Sequence, residues 1–148
     1  MRDLLILVLA VGVGGLMIAA LWSQRGKARG LVNGRLDRVG PRPNVVCSEP
    51  DTPGDVHVQP LRATLADARA AVERMGGTII TETDDYLAAT FQSRLFRFID
   101  DLELRDAGDG TLHVRSGSRV GYSDMGANRK RVEALRAELS RGELSREG

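Results

Sequence analysis

The residues with the richest chemistry lie in one stretch, Arg115-Ser116-Gly117-Ser118-Arg119-Val120-Gly121-Tyr122-Ser123-Asp124. It reads as the end of a strand, a turn at Gly121 and the start of a helix. A helix start offers free N–H groups and a positive dipole end, so it can hold an anion. Arg115, Arg119, Arg129 and Lys130 would add charge to such a site. The competing reading is that Asp124 caps the helix itself while the arginines pair with Asp100, Asp101 and Asp124. Tyr122 either joins this network through its hydroxyl or packs.

Asp100 stands out for its parity. In the segment from Leu95 to Arg105, Phe96, Phe98, Leu102 and Leu104 alternate as a core-facing strand, and Asp100 shares their side. A buried unpaired carboxylate costs several kcal/mol, so Asp100 needs a partner, a raised pKa or a bulge. Arg115 and Arg119 on the adjoining strand are the candidate partners. Asp100 and Asp124, with Ser123 or Tyr122, are also the residues an acid–base hydrolase or lyase would use, provided the two carboxylates lie close together with separated pKa values. Other constellations are missing. His57 and His113 lack metal-ligand spacing, and Cys47 is the single cysteine, so neither a metal site, a cofactor nor an intrachain disulfide is expected. Neighbouring strand residues face opposite ways, so Asp84-Asp85 and Asp100-Asp101 do not converge.

The elements that position these residues follow from periodicity. Val56-His57-Val58 is a short strand candidate. Thr64 caps a helix, with Asp67 as capping-box partner; Leu65, Ala68, Val72 and Met75 form its apolar face, and Gly76-Gly77 ends it. Strands follow at 78–82, 86–92, 95–105 and 111–118, with turns at Asp84-Asp85 and 106–110. On the last strand Leu112, Val114 and Val120 face one way and His113, Arg115 and Arg119 the other. A helix from about Met125 to Arg141 carries Asn128, Val132, Leu135 and Leu139 on one side, and a polar, frayed tail is expected over 142–148. The fold class is α+β: an antiparallel sheet of four to five strands with two helices on one face.

Ahead of this domain, expected over 41–141, Leu4 to Trp22 has no charged or strongly polar side chain. At about 1.5 Å per residue the run is roughly 28 Å long, against roughly 30 Å of hydrocarbon core. Residues 1–23 therefore read as a transmembrane anchor. A cleavable signal is the competing reading, but its apolar region is usually about 7–15 residues, and Ala19-Ala20-Leu21-Trp22 makes a poor cleavage site. Residues 24–40 read as a basic juxtamembrane linker, with Arg25, Lys27, Arg29, Arg35 and Arg38 against Asp37 alone. That charge favours a single-pass protein with its domain on the cytoplasmic side, the exported side being the alternative, and the linker either attracts anionic lipid or is only a solvated stop-transfer flank. The domain itself is more acidic than basic, which argues against nucleic acid as a partner.

Arg42-Pro43-Asn44, the segment Ser93 to Glu103 and the long run from Val114 to Glu133 together resemble the bacterial and plastid family called domain of unknown function 1499, over about residues 41–139. The resemblance implies a shared fold and a shared polar cluster, and brings no activity with it. The cluster it marks is Arg94, Asp100, Asp101, Arg115, Ser116, Ser118, Arg119, Tyr122, Ser123, Asp124, Asn128 and Arg129. Three functions stay open: a non-enzymatic binding or scaffold module that recognises an anionic group or partner protein, the Asp100/Asp124 enzyme, and a cluster that only holds the fold.

Overall fold

The structure, a computed structural model, describes residues 1–94 and 97–147. Helix α1 spans Arg2–Arg25. A small hairpin follows, β1 (Leu31–Val32) and β2 (Arg35–Leu36). Then come β3 (Val45–Cys47), β4 (Leu61–Arg62), α2 (Leu65–Arg74), β5 (Thr78–Glu82), β6 (Tyr86–Gln92), β7 (Ile99–Asp106), β8 (Thr111–Ser118) and α3 (Ala127–Glu147). The main sheet has six strands in the order β3-β8-β7-β6-β5, with β4 also on β8, and all the strand pairs are antiparallel.

The α+β expectation holds. Helices α2 and α3 cover one face of the sheet, and Val72, Leu87, Leu102, Leu104, Leu112, Val114, Val132 and Leu135 are fully buried between them. Thr64 caps α2 as expected, accepting from the Asp67 N–H at 3.2 Å. Gly76 closes that helix at φ 84°. Gly77 follows where a Cβ would sit 2.6 Å from Val72 Cγ1 and 2.7 Å from Phe91 Cζ, so only glycine lets β5 leave this close to the helix.

Several boundaries move. The strand count rises because β3 and β4 both dock on β8, while 56–58 contributes only a parallel bridge between His57 and Cys47. Strand β7 begins at Ile99, since Arg97 sits at φ 57° and breaks the extended run. Phe98 therefore precedes the strand and is half-buried, and Phe96 lies outside the described residues. Val120 likewise falls beyond β8. Helix α3 starts at Ala127 because Met125 and Gly126 both have positive φ. It continues to Glu147 instead of fraying after Gly142. Gly142 is not left-handed, and an interior glycine costs a helix only about 1 kcal/mol.

The largest departure is on the other face of the sheet. Residues 24–40, read as a linker, are not one: 24–25 end α1 and 26–40 fold back over the sheet. Asn33 and Gly34 turn the hairpin with φ of 53° and 73°, the left-handed pair that a tight two-residue turn needs. Leu36 is buried against Cys47, Tyr86 and Ala88, with Ala28, Leu31 and Val39 around them. Helix α1 ends in this layer: Ser23 is fully buried, and its Oγ accepts the Ile99 N–H at 2.6 Å.

Candidate functional site

Strand alternation splits the expected polar cluster into two layers that never meet. Asp100, Ser116 and Ser118 share the helix-covered face, while Asp101, Glu103, Arg115 and Arg119 lie on the hairpin-covered face. The registers Asp100–Ser118, Asp101–Gly117, Leu102–Ser116 and Glu103–Arg115 fix this division.

The layer under α3 is a closed network. Asn128 is fully buried in the first turn of α3. Its Nδ2 donates to the Asn44 carbonyl and to Ser118 Oγ, each at 3.0 Å. Its Oδ1 accepts from Ser116 Oγ at 2.7 Å and from Arg131 Nη1 at 2.6 Å. Arg131 also donates to Asp100 Oδ2 at 2.6 Å and lies over the Phe91 ring, 4.9 Å from its centroid. Asp100 thus has a partner, but it is Arg131, because Arg115 and Arg119 point to the opposite side of the sheet. Asp124 accepts from the N–H groups of Gly126 (3.0 Å) and Asn128 (2.7 Å), so the helix start already holds its own anion. Arg129 donates to the carbonyls of His57 and Asp55, bracing the 50s loop. Ser123 Oγ accepts from the Met125 N–H. Tyr122 neither joins nor packs: it is 73% exposed. Arg94 is exposed as well.

The layer under the hairpin was missed as a layer. Glu103 is fully buried. Its Oε2 accepts from Arg115 Nη1 at 2.9 Å, and its Oε1 accepts from the Tyr86 hydroxyl and the Gly30 N–H, both at 2.7 Å. Burial, then the Glu103 charge, raise the Tyr86 phenol far above its usual range, so it stays a donor. Arg119 makes a two-pronged pair with Asp101 at 2.9 and 2.7 Å and donates its remaining prong to the Ser23 carbonyl. Further along, Glu49 accepts from Arg105 and from the Leu36 N–H. Burial alone would raise its carboxyl; the Arg105 hydrogen bond and the other donors outweigh that and hold it below the usual range. Burial raises the Cys47 thiol, which keeps it protonated and inert. Ser48, His113 and Glu49 adjoin one another, yet Ser48 Oγ and Glu49 both face the same ring nitrogen, Nδ1. A relay needs both nitrogens, so this is not a nucleophile–base–acid chain.

One feature of this layer is open. A cleft of about 400 Å³ lies between the 26–42 segment and β8, lined by Lys27, Arg29, Arg42, Arg115, Arg119 and Asp101. Arg115 is 8% exposed, and its Nε is buried without a hydrogen-bond partner among the described residues. Buried donors are nearly always satisfied, so this one is a conspicuous exception. Three glycines also line the cleft, Gly26, Gly40 and Gly117. At Gly26 a Cβ would press on Arg119 Cδ at 2.8 Å, so the Arg119 stem lies directly on this backbone.

Fold and site together define a small α+β domain with a closed polar layer under its helices, a basic cleft on its other face, and an apolar helix leading into it. The chain belongs to the family described as Protein of unknown function (DUF1499), whose profile matches residues 35–139. The match begins inside β2, so part of the hairpin layer belongs to the shared domain. No curated protein and no solved structure matches the chain. Helix α1 is long and apolar enough to cross a membrane, with a mean hydropathy of 2.8 and only 6% of its most apolar window buried.

Proposed function

We propose that this chain is a single-pass membrane protein whose α1 spans the bilayer, and whose domain is a non-enzymatic module that binds an anionic group in the basic cleft at the foot of α1. The observation that carries the reading is the gathering of five cations, Lys27, Arg29, Arg42, Arg115 and Arg119, around one cleft whose lining has a single carboxylate, Asp101. The flanking charges favour the domain on the cytoplasmic side: Arg25 ends α1 and Lys27, Arg29, Arg35 and Arg38 follow it, against Arg2 and Asp3 at its start.

The other two readings fare differently. Asp100 is committed to Arg131 and Asp124 to backbone N–H groups, so nothing in their contacts favours an acid–base pair. A purely structural role suits the Ser116–Asn128–Arg131 layer, where every contact closes on another, and we assign that layer to holding α3 on the sheet.

Two measurements test the proposal on the full chain. Alkaline carbonate should leave it in the membrane pellet; release into the supernatant would remove the anchor. In neutral detergent, polyvalent anions at matched ionic strength should raise its thermal midpoint above that in chloride; no difference would remove the binding module.

A further inference from the structure

We infer that the cleft takes a phosphomonoester, an inference that rests on the anion-binding reading above and names its ligand class. The argument is one of charge and donor geometry. Arg119 faces Asp101, Arg115 faces Glu103, and Arg29 lies 3.5 Å from Asp37. Lys27 and Arg42 are exposed and make no ion pair among the described residues. The lining therefore carries two cations that nothing balances. A phosphomonoester at neutral pH carries about −1.5 to −2 charges and three acceptor oxygens. A carboxylate or a phosphodiester carries a single charge and would leave the cleft half-neutralised.

The paired arginines contribute differently. Their inner carboxylates hold the guanidiniums in place, which pre-organises planar donors of the kind that suit phosphate oxygens. Arg115 lines the cleft through its guanidinium, with its Nε sealed in the wall behind. Gly117 keeps the wall thin: a Cβ there would meet Val45 Cγ2 at 3.0 Å and stand 3.7 Å from Arg115 Nη1. The volume of about 400 Å³ suits a headgroup or a small phosphorylated metabolite. Two sources can supply such a group. Gly26 and Lys27, which line the cleft, directly follow α1, so a lipid phosphomonoester would reach it from the headgroup layer; a soluble phosphorylated metabolite, for which inorganic phosphate stands in, would reach it from water.

The test is calorimetric titration of the full chain in neutral detergent at fixed ionic strength. The probes are inorganic phosphate, dimethyl phosphate, short-chain phosphatidic acid and short-chain phosphatidylcholine. Phosphate should bind at least tenfold tighter than dimethyl phosphate, and K27Q/R42Q should weaken it at least tenfold without moving the thermal midpoint, since both side chains are exposed and unpaired. Arg115→Lys, which keeps a cation opposite Glu103 but loses the planar guanidinium, should also weaken it. Equal affinity for phosphate and dimethyl phosphate, or unchanged affinity in K27Q/R42Q, would overturn the inference. Within a positive result, phosphatidic acid binding tenfold tighter than phosphate, with phosphatidylcholine inert, assigns the lipid source; equal affinities assign the soluble one. Carbonate extraction reports on the anchor alone, so a chain that stays in the membrane yet ignores phosphate sinks this inference and leaves the anchor standing.

Discussion

Replacing Arg115 with methionine isolates the energetics of the layer under the hairpin. Methionine keeps much of the packing of the stem and removes the charge. Glu103 would keep the Tyr86 hydroxyl and the Gly30 N–H on Oε1, but Oε2 would lose its 2.9 Å donor, and the carboxylate has no exposure to water. A hydrogen bond to a charged group contributes about 1.5–3 kcal/mol, and breaking a buried pair costs about 3–5 kcal/mol once the stranded charge is included. The larger range applies here because Glu103 cannot turn to solvent. For a domain near 100 residues, about 1 kcal/mol lowers the midpoint by about 4–8 °C, so the drop should exceed about 12 °C. The assay is thermal unfolding of the full chain in neutral detergent, followed by circular dichroism. Adding Glu103→Gln to the variant should restore more than half of the loss, because glutamine still accepts from Tyr86 and Gly30 and carries no charge. A cost below about 1 kcal/mol for Arg115→Met, or no rescue by Glu103→Gln, would mean that water reaches Glu103 and that the hairpin does not seal this face.

Other expectations follow from the same contacts. Asn128→Ala should cost about 1–3 kcal/mol, read in the same melt, because it takes the acceptor from the Ser116 hydroxyl and one acceptor from Arg131, which keeps Asp100 and the Ser116 oxygen. Gly77→Ala should cost about 1–3 kcal/mol through overpacking against Val72 and Phe91. The Glu49 carboxyl titrates lower in the fold than in the open chain, so its contribution is present above pH of about 4.5 and is lost as pH falls through the folded value. Glu49→Gln should flatten the acid limb of a stability–pH profile in that window.

Much of this architecture was legible, and the reason is periodicity. Leu102, Leu104, Leu112 and Val114 alternate because one sheet face meets α2 and α3, and Ala68, Val72, Val132 and Leu135 repeat at helical spacing for the same reason. Thr64 and Gly76 announced the ends of α2. The second layer was not legible, because Asp101, Glu103 and Arg105 alternate with leucines as solvated residues would. Nothing local separates an ion pair sealed under a hairpin from charges in water. The one available signal was Asn33-Gly34, a strong turn dipeptide inside a stretch otherwise read as linker. Arg131 escaped for another reason. It lies off the apolar stripe of α3, and only its long side chain carries the guanidinium back to Phe91 and Asp100. Tyr122 shows the converse: a residue conspicuous by type and position that the fold leaves in the open.

The two polar layers explain why a structural reading and a binding reading can both be right. Under α3, no buried side-chain polar atom of Asn128 or Arg131 is left without a partner among the described residues, which fixes the helix. Under the hairpin the same chemistry stops one donor short. The shortfall occurs where α1 enters the domain, with Ser23 held by Ile99 and Arg119. Because α1 ends inside the fold, the basic residues after it are held by structure. Lys27 and Arg29 line the same cleft as Arg115 and Arg119, so their charges gather there. A mobile basic linker would spread the same charges over the membrane surface, within a Debye length of about 8 Å, and would discriminate little between anions. A folded one can select by charge number and shape, and that selectivity is what separates a phosphate site from general attraction to an acidic membrane.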